Sequence, residues 1–245
     1  MKLNLVFSVI IFCIVSCSFN TKKNHHLKAI LVRSELPYFK ENDELKIYYY
    51  KNYIVYAIQL IHSNFIEKDV NGVKVQTALP VFKTYRYFIH RANDSFGYRF
   101  ENLSADIGQR LPVDSLLSKK SSLTFYKKGL YEKLKIEYTL LSISNENNNT
   151  TIEKHIRKLE SGLTDSIILV YKNNIARNIP FTFSKALDSL SNKKLQKIVI
   201  KNYPKRQLSE SAENKHLIMS YEIEEIAGEN DIIEFIQKVN TNYFN

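Results

Sequence analysis

The sequence predicts an α+β fold, rich in antiparallel strands and carrying three or four short helices. Three observations lead there. Residues 28–143 mostly alternate apolar and polar side chains with period 2. Turn signals such as Asn71-Gly72 interrupt that alternation at short intervals. A few segments place a helix-starting residue ahead of an apolar stripe of helical period.

The strands follow in order. Residues 28–33 form the first candidate. Residues 45–50 and 53–62 flank Lys51-Asn52, a two-residue hairpin turn. The segment 53–62 is apolar on both faces, as a covered central strand should be. Residues 73–78 follow Asn71-Gly72, and 81–91 pairs with 96–101 across Ala92-Asn93-Asp94-Ser95. Further strands are expected at 134–144, 166–172, 195–203 and 217–226, with an exposed loop at 145–149.

Four segments read as helices. Pro112 suits the first turn of a helix to 118. Thr150 and Glu153 match a capping box, and Ile152, Ile156, Leu159 and Leu163 then share a stripe, predicting a helix over 150–163 with His155 on its outer side. Ser184 caps 185–190, and Asn230 caps a last helix with Ile232, Ile233, Phe235, Ile236 and Val239 inward. The loop at 145–149 suggests two subdomains meeting near 145–150.

The 245 residues are 44% hydrophobic and 24% charged, which excludes disordered and fibrous classes. Two cysteines exclude a disulfide scaffold and a four-cysteine zinc site. Lys2 precedes a segment, 3–15, that is apolar except for Asn4 and Ser8. It is shorter than the ~20 residues that span a bilayer and reads as an export signal. Ile14-Val15-Ser16-Cys17 resembles the lipobox of bacterial lipoproteins. The resemblance covers only the first 17 residues. It implies cleavage after residue 16, acylation of Cys17 and anchoring in a lipid bilayer, with 17–26 as tether and 27–245 as the β-rich domain. Cys13 would leave with the signal. No run of acids follows Cys17, which points to a periplasm-facing outer-membrane lipoprotein.

The net charge is +10, and removal of residues 1–16 takes only Lys2, leaving +9. Residues 1–150 hold 21 basic and 13 acidic side chains, against 14 and 12 in the rest. Export and the lack of a long basic run argue against nucleic acid, so anionic head groups or envelope polymers are the expected attraction.

Catalytic motifs are absent: the chain holds no glycine-rich phosphate loop, serine elbow or His-Glu-x-x-His. His25-His26 lacks a nearby third ligand and reads as solvated tether. His62, His90, His155 and His216 form no motif. No catalytic residue, metal ligand or cofactor is assigned. The densest feature is aromatic: Tyr48, Tyr50, Tyr56, Tyr85, Tyr87 and Tyr98 pack a tryptophan-free core or line an apolar or glycan ligand site. Asp-Ser-aliphatic triplets at Ser115, Ser166 and Ser189 resemble acceptors of a periplasmic O-glycosylation system, although Asp-Ser also starts helices. The expected function is a lipid-anchored envelope protein with a non-catalytic domain that binds a protein partner or an apolar or glycan ligand. The alternatives are an immunity or inhibitor lipoprotein against an envelope toxin, and a hydrolase with a dispersed site.

Overall fold

Thirteen strands account for most of the described chain, eleven of them in one antiparallel sheet. The computed structural model describes residues 26–35, 43–62, 65–70, 73–78, 82–115, 130–159, 164–173, 179–202 and 217–244. The sheet-dominated character is stronger than a balanced α+β composition.

The first half of the sheet is built from β1 (Lys28–Glu35), β2 (Asp43–Tyr50), β3 (Tyr53–His62), β6 (Phe82–Arg91), β7 (Phe96–Phe100) and β8 (Gln109–Pro112). Between β3 and β6 the chain forms a separate hairpin of β4 (Phe65–Val70) and β5 (Val73–Ala78). The second half comprises α1 (Leu130–Glu137), β9 (Thr139–Asn147), β10 (Thr150–Lys158), β11 (Thr164–Lys172), α2 (Lys185–Ser191), β12 (Lys194–Asn202), β13 (Leu217–Ile226) and α3 (Asn230–Tyr243). The strand order is β8-β7-β6-β3-β2-β1-β13-β12-β11-β10-β9. The two halves are thus two meanders, joined where β1 pairs β13 from Ala29↔Ile226 to Glu35↔Ser220.

Local chemistry explains the turns. Lys51 adopts φ 54 between the paired Tyr50 and Tyr53, the left-handed conformation a two-residue hairpin demands. Ser184 accepts the Leu187 amide and caps α2, as expected. At α3 the cap residue is Glu229 rather than Asn230, and its carboxylate turns to the sheet instead of the helix amides.

Further expectations are corrected. Residues 150–158 form β10, not a helix, with Ile152↔Val170 and Ile156↔Ser166 in register with β11. Ile152 and Ile156 are four apart, which satisfies a helical stripe and a strand face alike. Threonine and isoleucine favour the pleated alternative, and two flanking strands complete its hydrogen bonding. Residues 134–137 belong to α1, not a strand, because Leu130, Leu134 and Tyr138 recur every four residues and all are buried. Of the expected helix at 112–118, residues 113–115 are helical and 116–118 lie outside the described residues. The 145–149 segment is the end of β9 and the turn of the β9–β10 hairpin. The chain passes between the two half-sheets elsewhere, between β8 and α1.

Both faces of the sheet carry core. On one, Ile30, Ile47, Phe88, Leu169, Ile198 and Ile223 pack with Leu134 of α1, Leu187 of α2 and Phe183 between them. On the other, Val55, Ala57, Tyr87 and Phe100 lie beneath Ile232, Phe235, Ile236 and Val239 of α3. Each branched aliphatic or phenyl side chain among them contributes about 1.5–3 kcal/mol by leaving water.

Candidate functional site

A cleft of about 350 Å³ opens where α1 and α2 lie over β9, β10 and β11. Its apolar wall is Leu134, Tyr138, Leu140, Leu187 and Leu190, and its polar floor is Glu153 and His155. The strand period places that floor: Thr151, Glu153, His155 and Arg157 take one side of β10, facing the helices, while Ile152, Lys154, Ile156 and Lys158 take the other.

The floor is internally bonded. His155 Nε2 lies 3.2 Å from Glu153 Oε2, and the Tyr171 hydroxyl donates to the same oxygen at 3.3 Å. Burial, reinforced by the Glu153 charge, pushes the Tyr171 hydroxyl far above its ordinary pKa, so it stays a protonated donor. Arg157 holds α1 in place. It donates to Asp165 Oδ2 at 2.6 Å and to the Glu137 carboxylate at the end of α1, and its guanidinium lies 5.2 Å from the Tyr138 ring centre.

The rim is unusually apolar. Leu190 is 69% exposed and Leu140 47%, with Ile136, Leu141 and Ile143 exposed on the same flank of the sheet. The helical reading misplaces Glu153, His155 and Arg157, which the strand brings to one face. The polar alternation at 151, 153, 155 and 157 was the signal that could have found them.

The aromatic residues divide between the faces. Tyr48 and Tyr87 are buried beneath α3, with the Tyr87 ring 5.8 Å from Phe235 and burial pushing its hydroxyl up to about 12. Tyr98 packs 4.7 Å from Tyr243, and Tyr50 is half-buried with Lys51 over its ring. Tyr56 faces the opposite way and stacks on His90 at 5.9 Å. Tyr85 and Tyr87 line a second, shallower groove of about 590 Å³ with Phe82, Arg86, Glu101 and Leu103.

The serines also part company. Ser189 is exposed on α2, Ser115 is half-buried, and Ser166 is 7% exposed inside β11. Asp188 beside Ser189 accepts the Leu195 amide at 2.8 Å and the Thr182 hydroxyl at 2.6 Å, fastening α2 to β12. Cys17 lies outside the described residues. Among those described, no helix is long and apolar enough to cross a membrane, and no three His, Cys, Asp or Glu side chains group closely enough to hold a metal ion.

No protein-family model matches the chain, and no curated protein is similar to it.

Proposed function

We propose that the chain is a lipid-anchored envelope protein, acylated at Cys17 and facing the periplasm from the outer membrane, whose β-rich domain binds an apolar or aromatic ligand without catalysis. The observation that carries the binding part is the cleft between α1, α2 and β9–β11. It has leucine and tyrosine walls, one polar floor and an exposed apolar rim. The export segment and Ile14-Val15-Ser16-Cys17 support the anchor.

Glu153 beside His155 favours a second reading, hydrolysis with His155 as general base. Binding explains the site better than serine-dependent hydrolysis, because the hydroxyl of the one serine on the lining is already engaged. Ser191 Oγ donates to Leu187 O at 2.9 Å and accepts the Lys193 amide at 3.2 Å. A hydroxyl held that way is a helix end, not a nucleophile.

The binding test uses anilinonaphthalene sulfonate, an aromatic anion that brightens in apolar sites. Native protein is expected to enhance its fluorescence, and Leu140→Glu with Leu190→Glu to abolish the effect while the fold is kept. Undiminished enhancement in that variant would remove the cleft from the proposal. The anchor test is metabolic labelling with an alkyne fatty acid, in which label is expected on the native chain and absent from Cys17→Ala. Among the serine triplets we propose Ser189 as the acceptor, read as a mass increment lost in Ser189→Ala.

A further inference from the structure

We infer that the face of β10–β12 turned away from α1 and α2 is a docking surface for an anionic lipid bilayer. The register places its side chains. Ile152, Ile156, Ile168, Val170 and Val199 share that face, and none belongs to either buried core. Lys154, Lys158, Lys172, Lys197 and Lys201 stand among them. No acid from β10, β11 or β12 joins them: Glu153 and Asp165 occupy the other face. Among the described residues only Lys197 is neutralised, by Glu222 of β13 at 2.8 Å. Lys154, Lys158, Lys172 and Lys201 form no ion pair within the described residues.

The same side of the first half-sheet is covered by α3, but no described helix covers it beyond β13. A surface of lysines on aliphatic stems, with interspersed isoleucine and valine, suits the boundary between phosphate head groups and acyl chains.

The entry of the chain selects the bilayer as occupant. Residues 1–25, with the apolar segment at 3–15, precede β1, which lies beside β13 in the middle of the sheet. Leu27, among the first described residues, packs with the α3-side core and against Gly228, on the side of the sheet that carries the lysines. From Cys17 to Lys28 is 11 residues, a reach of at most ~40 Å. This deepens the anchoring reading, yet it rests on other residues and can fail separately from it.

The test uses the full chain with Cys17→Ala, so that no acyl group contributes, and measures co-sedimentation with phosphatidylglycerol and phosphatidylcholine vesicles. The apolar leader acts on both vesicles alike, and the difference reads the charges. The unsubstituted face is expected to favour phosphatidylglycerol, with a preference that falls as salt rises. Lys154→Gln, Lys158→Gln and Lys201→Gln together are expected to cut binding to phosphatidylglycerol roughly 100-fold, at about fivefold per lysine. Lys51→Gln, Lys133→Gln and Lys185→Gln remove the same charge elsewhere and are expected to change it less than about threefold. Equal losses from the two triples would overturn the inference in favour of bulk charge. Equal binding to both vesicles would overturn it outright. Binding to soluble polyphosphate without vesicle preference would do so in favour of a free polyanion. Near-ultraviolet circular dichroism of each triple confirms that the fold is kept.

Discussion

The Tyr48 hydroxyl donates to Glu229 Oε1 at 2.8 Å, and Lys46 Nζ reaches the same oxygen at 2.7 Å. One carboxylate at the entry to α3 therefore gathers two donors from β2. At the far end of the helix, Arg91 donates to Phe244 O at 2.6 Å and Tyr243 to Asp106 O at 2.7 Å. Between these ends Phe235 packs edge-on against Phe100 at 5.2 Å. The last helix is fixed at both termini and along its length.

Glu229 makes α3 docking sensitive to acid. Burial tends to raise its carboxyl, but the bonds from Lys46 and Tyr48 outweigh that and hold it below its ordinary value of 4.5. A carboxyl depressed in the folded state contributes stability above its unfolded value. That contribution is lost as the pH falls through the lower folded value. Glu229→Gln is expected to flatten the acid limb of a plot of melting temperature against pH. Glu229→Ala is expected to cost about 1–2 kcal/mol at neutral pH in urea unfolding.

His90 gives the opposite face a pH dependence of its own. It is 5% exposed, its Nδ1–H donates to Arg91 O at 2.6 Å, and its Nε2 has no partner. Burial lowers its pKa from the ordinary 6.5, more than the Arg91 carbonyl raises it. The unfolded chain then takes up a proton before the folded one, so stability falls as the pH drops below 6.5 and levels off beneath the folded value. His90→Phe is expected to remove that slope between neutral and mildly acidic pH, measured by chemical denaturation.

Gly97 faces a backbone that cannot yield. A Cβ there would stand 2.5 Å from Ile89 O and 2.6 Å from the Phe88 ring. Gly97→Ala is expected to destabilise the protein by about 2–3 kcal/mol. At Gly228 the nearest atoms to a Cβ belong to the Leu27 side chain, at 2.8 Å, and Gly228→Ala is expected to cost less than half as much. Equal losses in paired unfolding curves would contradict this.

Arg157 ties α1 to the sheet. Arg157→Ala strips the side chain of Asp165, 3% exposed, of its guanidinium and frees the Glu137 end of α1. The expected cost is about 2–3 kcal/mol, with loss of anilinonaphthalene fluorescence because the α1 wall shifts. Arg157→Lys restores one ion pair but not both, so it is expected to recover part of each.

Much of this architecture was readable in the chain. The hairpin at Lys51-Asn52, the β6–β7 pair, the capped α2 and the inward stripe of α3, apart from the half-buried Ile233, each rest on local signals that the packing reinforces. The misassignment of β10 has a plain cause. Ile152 and Ile156 fit both periods, and only β9 and β11 on either side decide for a strand, which is information no local window holds. That ambiguity also hid the floor of the cleft, since Glu153 and His155 share a face only if β10 is extended. Their meeting with Tyr171 and with the helices depends on pairings more distant in sequence. The densest cue, the tyrosines, belongs chiefly to packing beneath α3.

The central claim, that the α1–α2 cleft is the binding site, is tested most directly by nuclear magnetic resonance. The protein is titrated with anilinonaphthalene sulfonate and the shifted resonances are mapped. The account predicts saturable shifts at Leu134, Tyr138, Leu140, His155 and Leu190. Shifts gathered instead at Leu60, Phe82 and Tyr85, or no saturable shift at all, would contradict it.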